Sequence, residues 1–353
     1  MKLSFRWYGP NKDPISLKYI SQIPNISSIV TQCYEYKPGE IWEQQNIKLL
    51  KSLVEKDKLK MEVIESVPVH EDIKLGRPTR DKLIANYCKT LENLAKEGIN
   101  VVCYNFMPAF DWVRTNLYKQ MEDGSFCESY DQKDIDKLDA ASAIKKFKKL
   151  PAWTLSFPDE ETEEIITLYQ KMSNDELWEN ISYFINSIMP TCDKFKIKMA
   201  IHPDDPAWPI FNIPRLITCE KNIERFLKIN DSPNHGLTLC VGSLATNLEN
   251  NLPKIVNKFV KKIFFTHIRN IEYTSKTEFQ EIAHASKKGV LDLVEILRVY
   301  RENNYQGYIR PDHGRMIWGE EKLPHTPGYG LYDRALGLSY INGVWDGLGI
   351  NKK

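Results

Sequence analysis

Eight short apolar runs alternate with amphipathic segments along almost the whole chain, and this alternation constrains the fold more than any other feature. The runs have the length and composition of buried strands, and they lie at 3–9, 27–33, 60–69, 100–108, 195–203, 235–243, 262–270 and 305–314. Helical patterns lie between or after them at 40–55, 81–97, 175–189, 223–229, 252–261, 290–303 and 332–345. Eight strands that alternate with helices predict an α/β fold, a closed parallel (β/α)8 barrel or TIM barrel.

The segment 110–159 interrupts this rhythm after the fourth run. It is polar and shows no clear apolar alternation. Irregular segments of this length inside a domain usually form a lid or a binding excursion. We therefore expect a single TIM-barrel domain over 1–353 that includes a lid-like insertion at 110–159. The first run is followed by no glycine-rich phosphate loop, which disfavours an open nucleotide-binding sheet.

Charge and cysteine usage exclude several classes of protein. The chain has 48 Lys and Arg against 47 Asp and Glu, a net charge of +1, so no overall field attracts nucleic acid or an anionic membrane. No apolar stretch reaches the length of a membrane span, and the first ten residues lack the apolar core of a secretion signal. The seven scattered cysteines form no C-x-x-C pair. They are typical of reduced thiols in a cytoplasmic protein.

Metal-ligating side chains stand at the ends of the last four strands. In a barrel these ends lie side by side on one rim, where such enzymes place their chemistry. Imidazole, thiolate and carboxylate are ligands for divalent transition metals. Because the ligands come singly from separate strands, they indicate a catalytic rather than a structural site. The predicted ligands are His202, Cys240, His267 and Asp312.

Each ligand also has a simpler explanation when it is taken alone. A histidine at a strand end is often only a hydrogen-bonded polar residue, and Cys240 could be a small core side chain. Asp312 and His313 could form a hydrogen-bonded pair without a metal. The coincidence of four ligands at matching depth favours the metal site. The donor set suits Mn, Fe, Co or Zn and disfavours Ca.

Further candidates surround this predicted site. His313 directly follows a predicted ligand and has the position of a general acid or base. Tyr329 lies in a Gly-rich loop that could reach the same rim, and Tyr332 is the alternative to it. Polar residues at strand ends are candidates for substrate binding through hydrogen bonds, and they are Arg6, Asn105, Arg269 and Asn270.

Several sequence blocks taken together resemble the mannonate dehydratase family of xylose-isomerase-like barrels. Its most specific block joins VVCYNFMP to FDWVRT within 80–115. The other blocks follow in the family's order, namely FRWYG (5–9), IHPDDP (201–206), LCVGSL (239–244), HIRN (267–270), RPDHGR (310–315) and PGYGLYDRALGLSYINGVW (327–345). The resemblance covers essentially the full chain.

This resemblance implies a hydro-lyase that converts D-mannonate into 2-keto-3-deoxy-D-gluconate in hexuronate (glucuronate) breakdown. It implies a metal ion, usually Mn²⁺ with Fe²⁺ as the alternative, held by the four ligands named above. His313 and Tyr329 match the family's catalytic histidine and tyrosine. The resemblance also implies a homodimer that acts on a small molecule. From the charge and the cysteine usage we expect a cytoplasmic protein that binds neither nucleic acid nor membrane.

Three other functions compete with this one. A sugar isomerase on the same barrel would use carboxylate-rich ligation, and Cys240 argues against it. A metal-dependent endonuclease would need a basic groove for phosphates, and the net charge gives it little support. A non-catalytic binding barrel would be expected to have lost a ligand or His313, and this chain retains them all.

Overall fold

The predicted apolar runs form parallel strands that close into an eight-stranded barrel, which confirms the fold class. The computed structural model describes residues 1–147 and 158–350. Its strands are β1 Lys2–Arg6, β2 Ser28–Thr31, β3 Lys60–Glu65, β4 Val101–Tyr104, β5 Asn116–Gln120, β6 Phe126–Asp131, β7 Lys198–Ile201, β8 His235–Cys240, β9 Ile263–Ile268, β10 Asn270–Ser275, β11 Glu278–Ile282 and β12 Tyr308–Pro311. The barrel order is β1-β2-β3-β4-β7-β8-β9-β12, closed by the pairing of Leu3 with Ile309.

Alternate residues of the barrel strands face opposite sides of the sheet. One set packs in the barrel interior, and includes Val30, Val63, Val101, Cys103, Ala200 and Phe265. Their neighbours, such as Ile64 and Val102, join the larger core between the strands and the helices. The interior-facing set ends in polar residues at the carboxyl ends of the strands, and this change creates the floor of a site.

Helices cover the outside of the barrel. They are α1 Leu17–Ile20, α2 Gln44–Lys56, α3 Glu71–Lys74, α4 Arg80–Lys96, α5 Gln132–Ile135, α6 Ala140–Phe147, α7 Asp159–Lys171, α8 Asn174–Phe195, α9 Glu220–Leu227, α10 Val241–Ala245, α11 Leu252–Phe259, α12 Leu293–Glu302 and α13 Tyr332–Ile350. The long α8 begins with a capping box in which Ser173 and Glu176 satisfy each other's backbone N–H groups. Within the described ranges, no helix is both long and apolar enough to cross a bilayer.

A second, antiparallel sheet covers the carboxyl end of the barrel. Its order is β10-β11-β6-β5, so it combines a hairpin of the 110–159 excursion with the hairpin that follows β9. Backbone hydrogen bonds of 3.0 and 2.7 Å between Phe126 and Met316 also join β6 to the loop after β12. The sequence did not predict strands in the excursion. Its part at 148–157 lies outside the described residues.

Candidate active site and metal centre

The interior-facing positions at the ends of β7, β8, β9 and β12 bring the four predicted ligands together. The Nε2 atom of His202 lies 3.1 Å from Nδ1 of His267. The Cys240 thiol lies 3.2 Å from an Asp312 carboxylate oxygen, and the other oxygen of that carboxylate is 4.0 Å from His267 Nδ1. Cys240, His267 and Asp312 are buried. His202, Cys240 and His267 therefore offer ligand atoms within 4.8 Å of one another, and the Asp312 carboxylate lies beside Cys240 and His267.

The hydrogen-bond partners of the two imidazoles fit a metal ion between them. His202 Nδ1 lies 2.7 Å from the carbonyl oxygen of Pro203, which only accepts, so the proton of a neutral ring belongs on Nδ1 and Nε2 keeps a lone pair. An N–H of Arg310 points at His267 Nδ1 from 3.3 Å, which also requires a lone pair there. Two lone pairs that face each other repel unless a cation lies between them.

Glu65 and Arg310 support this cluster from the barrel interior. Arg310 donates to both oxygens of Glu65 at 3.1 and 2.9 Å and to Asp312 at 2.8 Å. Glu65 also lies 3.5 Å from Nε2 of His267, the position of a carboxylate that orients a metal-ligating imidazole. Burial alone would raise the pKa of Glu65, but the Arg310 guanidinium outweighs it and holds that pKa well below its usual value. The same balance keeps the pKa of Asp312 low.

His313 and Tyr329 lie beside the predicted ligand Asp312. The Nε2 atom of His313 is 3.9 Å from Asp312, and the Tyr329 hydroxyl donates to the same oxygen at 3.5 Å. Burial disfavours the charged imidazole, but Asp312 and Glu128 outweigh it and raise the pKa of His313 to about 10. Burial raises the pKa of Tyr329 well above its usual value. Tyr332 is 40% exposed and packs on Trp318, so of the two tyrosines the structure brings Tyr329 to the cluster.

A cavity of about 440 Å³ opens above the cluster, and His202, Asp312, His313 and Tyr329 contribute to its wall. Two predicted substrate-binding residues, Arg6 and Asn105, also line it.

Each of these two side chains is already held by a neighbour. Arg6 donates to the Tyr34 hydroxyl at 2.8 Å, while its buried Nη1 has no hydrogen-bond partner among the described residues. Asn105 donates to Asp111 at 3.1 Å. Arg6 thus places a fixed cation in the wall of the cavity.

The structure does not bring the other two predicted substrate-binding residues to this cavity. Arg269 is fully buried and donates to Asp312 at 2.9 Å and to Glu281 at 2.6 Å. The Asn270 amide donates to the carbonyl of Leu291 at 3.0 Å and accepts from the Leu291 N–H at 3.1 Å. Both side chains are therefore committed to partners within the protein, and Arg269 supports a predicted ligand instead.

Comparisons with known proteins agree with this geometry. The whole chain, residues 1–353, matches the model of the D-mannonate dehydratase (UxuA) family. The chain belongs to the D-mannonate dehydratase family. Mannonate dehydratase of Thermotoga maritima is 48% identical over 361 residues, with 100% of this chain and 99% of the relative covered. The crystal structure of mannonate dehydratase from Streptococcus suis serotype 2 has a TM-score of 0.91 at 43% identity and covers 99% of this chain and 95% of that one.

More distant structures share the barrel alone. A xylose isomerase domain protein from Planctomyces limnophilus has a TM-score of 0.55 at 12% identity, with 99% of this chain and 98% of that one covered. Membership of the D-mannonate dehydratase family makes this chain a lyase and decides against the isomerase, endonuclease and binding-protein alternatives. Family and ligand cluster agree on a metal-dependent enzyme.

Several residues that shape the site were not predicted from the sequence. Glu65 ends β3, and Arg310 lies inside the RPDHGR block, so their strand-end positions were a usable signal. Trp112, whose ring lies 5.3 Å from that of His313, lies in the FDWVRT block. Glu128 and Glu281 gave no such signal, because they belong to strands of the small antiparallel sheet that the sequence did not reveal.

Proposed function

We propose that this chain removes water from D-mannonate to form 2-keto-3-deoxy-D-gluconate, as a step in hexuronate catabolism. The observation that carries the proposal is the group of His202, Cys240 and His267, which lies next to one cavity together with Asp312, His313 and Tyr329. The full-length match to the D-mannonate dehydratase family supplies the substrate. Small sugar acids suit a cavity of about 440 Å³.

The cavity offers an anionic substrate a small number of fixed polar groups. We propose that Arg6 binds substrate oxygens from the cavity wall and that Asn105 adds a second contact. Tyr34 and Glu65 hold the Arg6 guanidinium in place before substrate enters. A cation that needs no rearrangement binds a carboxylate or a sugar hydroxyl at little entropic cost.

The chemical difficulty of the reaction is the C2 proton, which is barely acidic beside an ionised carboxylate. His202, Cys240, His267 and Asp312 would hold a divalent metal ion, which supplies a Lewis acid for the negative charge that develops there. His313 and Tyr329 exchange the two protons of the reaction, one at C2 and one at the departing C3 hydroxyl. Positioned proton-transfer groups contribute about 10²- to 10⁴-fold each. We propose Mn²⁺ as the ion and Fe²⁺ as the second choice.

A turnover assay tests the proposal directly. Purified protein would be stripped of metal, reloaded with Mn²⁺ or Fe²⁺ in separate samples, and offered D-mannonate while NMR follows the product. We expect 2-keto-3-deoxy-D-gluconate from the reloaded protein and none from the stripped protein. Reloaded protein without product would contradict the proposed function, and greater activity with Fe²⁺ would contradict the choice of Mn²⁺.

The two neighbouring tyrosines give a matched pair of variants. Tyr329→Phe removes the hydroxyl that lies 3.5 Å from Asp312, so kcat is expected to fall by about 10²-fold or more. Tyr332→Phe removes an exposed hydroxyl and is expected to leave kcat within about twofold. Steady-state kinetics on D-mannonate compare the two variants. A larger loss in Tyr332→Phe would reverse the assignment.

We further propose that the chain works as one domain, as a homodimer and in the cytoplasm. The pairing of β6 with β11 joins the excursion to the barrel segments, which favours one domain. Trp318, Tyr332 and Leu336 expose apolar surface that a second copy could cover. Among the described residues all seven cysteines are free thiols, as in reducing compartments. Calorimetry should show one transition, sedimentation equilibrium a dimer mass, and cell fractionation a cytoplasmic pool.

A further inference from the structure

Glu128 is a buried carboxylate that has no role in the reaction proposed above. It lies in the middle of β6, its residue is 1% exposed, and its Oε2 atom is 2.9 Å from Nδ1 of His313. Among the described residues, His313 is the only cationic side chain within 4 Å of it. A carboxylate taken out of water is stable only with a partner, so these two groups depend on each other.

The register of the small sheet explains why a second carboxylate is close by. Glu278 pairs with Asp131 and Gln280 pairs with Ser129, so the same register continued by one residue places Glu281 opposite Glu128. Side chains that lie opposite each other in an antiparallel pair project from the same face, and like charges there are unfavourable. Both carboxylates approach His313 Nδ1, Glu128 at 2.9 Å and Glu281 at 3.5 Å.

Two arginines neutralise Glu281 and do not pair with Glu128. Arg114 donates to Asp205 at 2.9 and 3.1 Å and to Glu281 at 2.7 Å. Arg269 donates to Glu281 at 2.6 Å and also to Asp205. Two guanidiniums thus neutralise Asp205 and Glu281, and Arg269 also reaches Asp312. Glu128 stands outside this set of ion pairs, and its counter-ion is the imidazole.

This pairing fixes which ring nitrogen of His313 faces the reaction. With Nδ1 in the ion pair with Glu128, Nε2 is the nitrogen that lies 3.9 Å from Asp312, in a side chain that lines the cavity. Gly328 gives the pair its room, because a Cβ there would lie 2.6 Å from the Glu128 carboxylate oxygen. Its φ of 74° also favours glycine. The loop after β12 therefore leaves space for the contact between His313 and Glu128 of β6.

We propose that Glu128 is a positioning residue: it holds His313 with Nε2 toward the substrate, so the excursion contributes to catalysis from outside the barrel. This inference rests on the proposed function and deepens it. Glu128 itself does not touch the reacting atoms. Partners that orient a ligand or catalytic imidazole typically change activity by about 10- to 100-fold when they are replaced.

The test compares two glutamates of the same hairpin region. Glu128→Gln keeps the shape but removes the charge, and is expected to lower kcat for D-mannonate by about 10- to 100-fold with KM and Mn²⁺ content within about threefold. Glu122→Gln is the control, because that side chain is 92% exposed and pairs only at the surface with Lys288. Glu128→Asp keeps the charge and should recover part of the loss. A purely structural role would change stability or metal content without this separation of kcat from KM.

The outcomes separate this inference from the proposed function. Equal kcat in Glu128→Gln and Glu122→Gln would overturn the inference alone, and so would a loss carried by KM or by missing metal. If the glutamine variant does not fold, Glu128→Asp decides: kcat lowered at least about fivefold at unchanged KM supports the role, and unchanged kcat opposes it. A wild type that does not turn over D-mannonate would overturn both.

Discussion

Replacement of His313 by asparagine is expected to lower kcat for D-mannonate by about 10²- to 10⁴-fold with Mn²⁺ content unchanged. The asparagine amide can still approach Glu128, but it carries nothing at the position of Nε2, the nitrogen that faces Asp312. The variant therefore loses proton exchange and keeps the four ligands. Its effect should be larger than that of Glu128→Gln, because Glu128 acts only through this ring.

Stability has to be separated from chemistry in this experiment. His313 is the counter-ion of a buried carboxylate, and removal of one partner of such a pair costs about 3–5 kcal/mol. The variant is therefore expected to unfold at a lower temperature, and kinetics should be measured where circular dichroism shows it folded. Substantial turnover by folded, metal-loaded His313→Asn would refute the assigned role.

The barrel and the convergence of the candidate ligands could be predicted from the sequence because both follow from local patterns. The run at 262–270 contains β9, Ile263–Ile268, six other runs contain their barrel strands in the same way, and the run at 3–9 overlaps β1, which begins one residue earlier. Parallel strands place their carboxyl ends on one rim, so residues such as His267 and Asp312 had to converge once the barrel closed. These residues are far apart in the sequence, but their convergence follows from the barrel alone.

The small sheet and its charges could not be predicted because their causes are long-range. In β6 the residues from Cys127 to Tyr130 are all buried, although Glu128 and Ser129 are polar. Arg114 meets Glu281 across 167 positions of sequence. A strand whose polar side chains are buried by such pairing carries no apolar alternation, so the excursion had the pattern of irregular chain.

The same limit explains Arg269 and Asn270. Both follow the predicted ligand His267 at a strand end, and a sequence pattern cannot show whether such a side chain turns toward the cavity or toward the protein. The structure gives Arg269 three carboxylates as partners, Asp205, Glu281 and Asp312. Its guanidinium therefore neutralises these buried carboxylates and is not directed toward the cavity.

Replacement of His202 by alanine is expected to abolish both metal retention and turnover. His202 supplies the lone pair that faces His267 across 3.1 Å, and its other nitrogen is oriented by the Pro203 carbonyl. Loss of an outer partner of a ligand costs about 10- to 100-fold in metal affinity, so loss of the ligand itself should exceed about 100-fold. His70→Ala is the matched control, since His70 caps α3 and does not line the cavity.

For His202→Ala, the metal content after dialysis tests whether His202 is a ligand more directly than activity does. The expected result is about one Mn²⁺ per chain in wild type and His70→Ala, and almost none in His202→Ala at the same free Mn²⁺. Without the His202 imidazole, no lone pair faces Nδ1 of His267, and Arg310 remains to donate to that nitrogen. The variant should therefore fold, and circular dichroism would show it. A folded His202→Ala protein with full metal content would exclude His202 from the ligand set and leave Cys240, His267 and Asp312 to bind the ion without it.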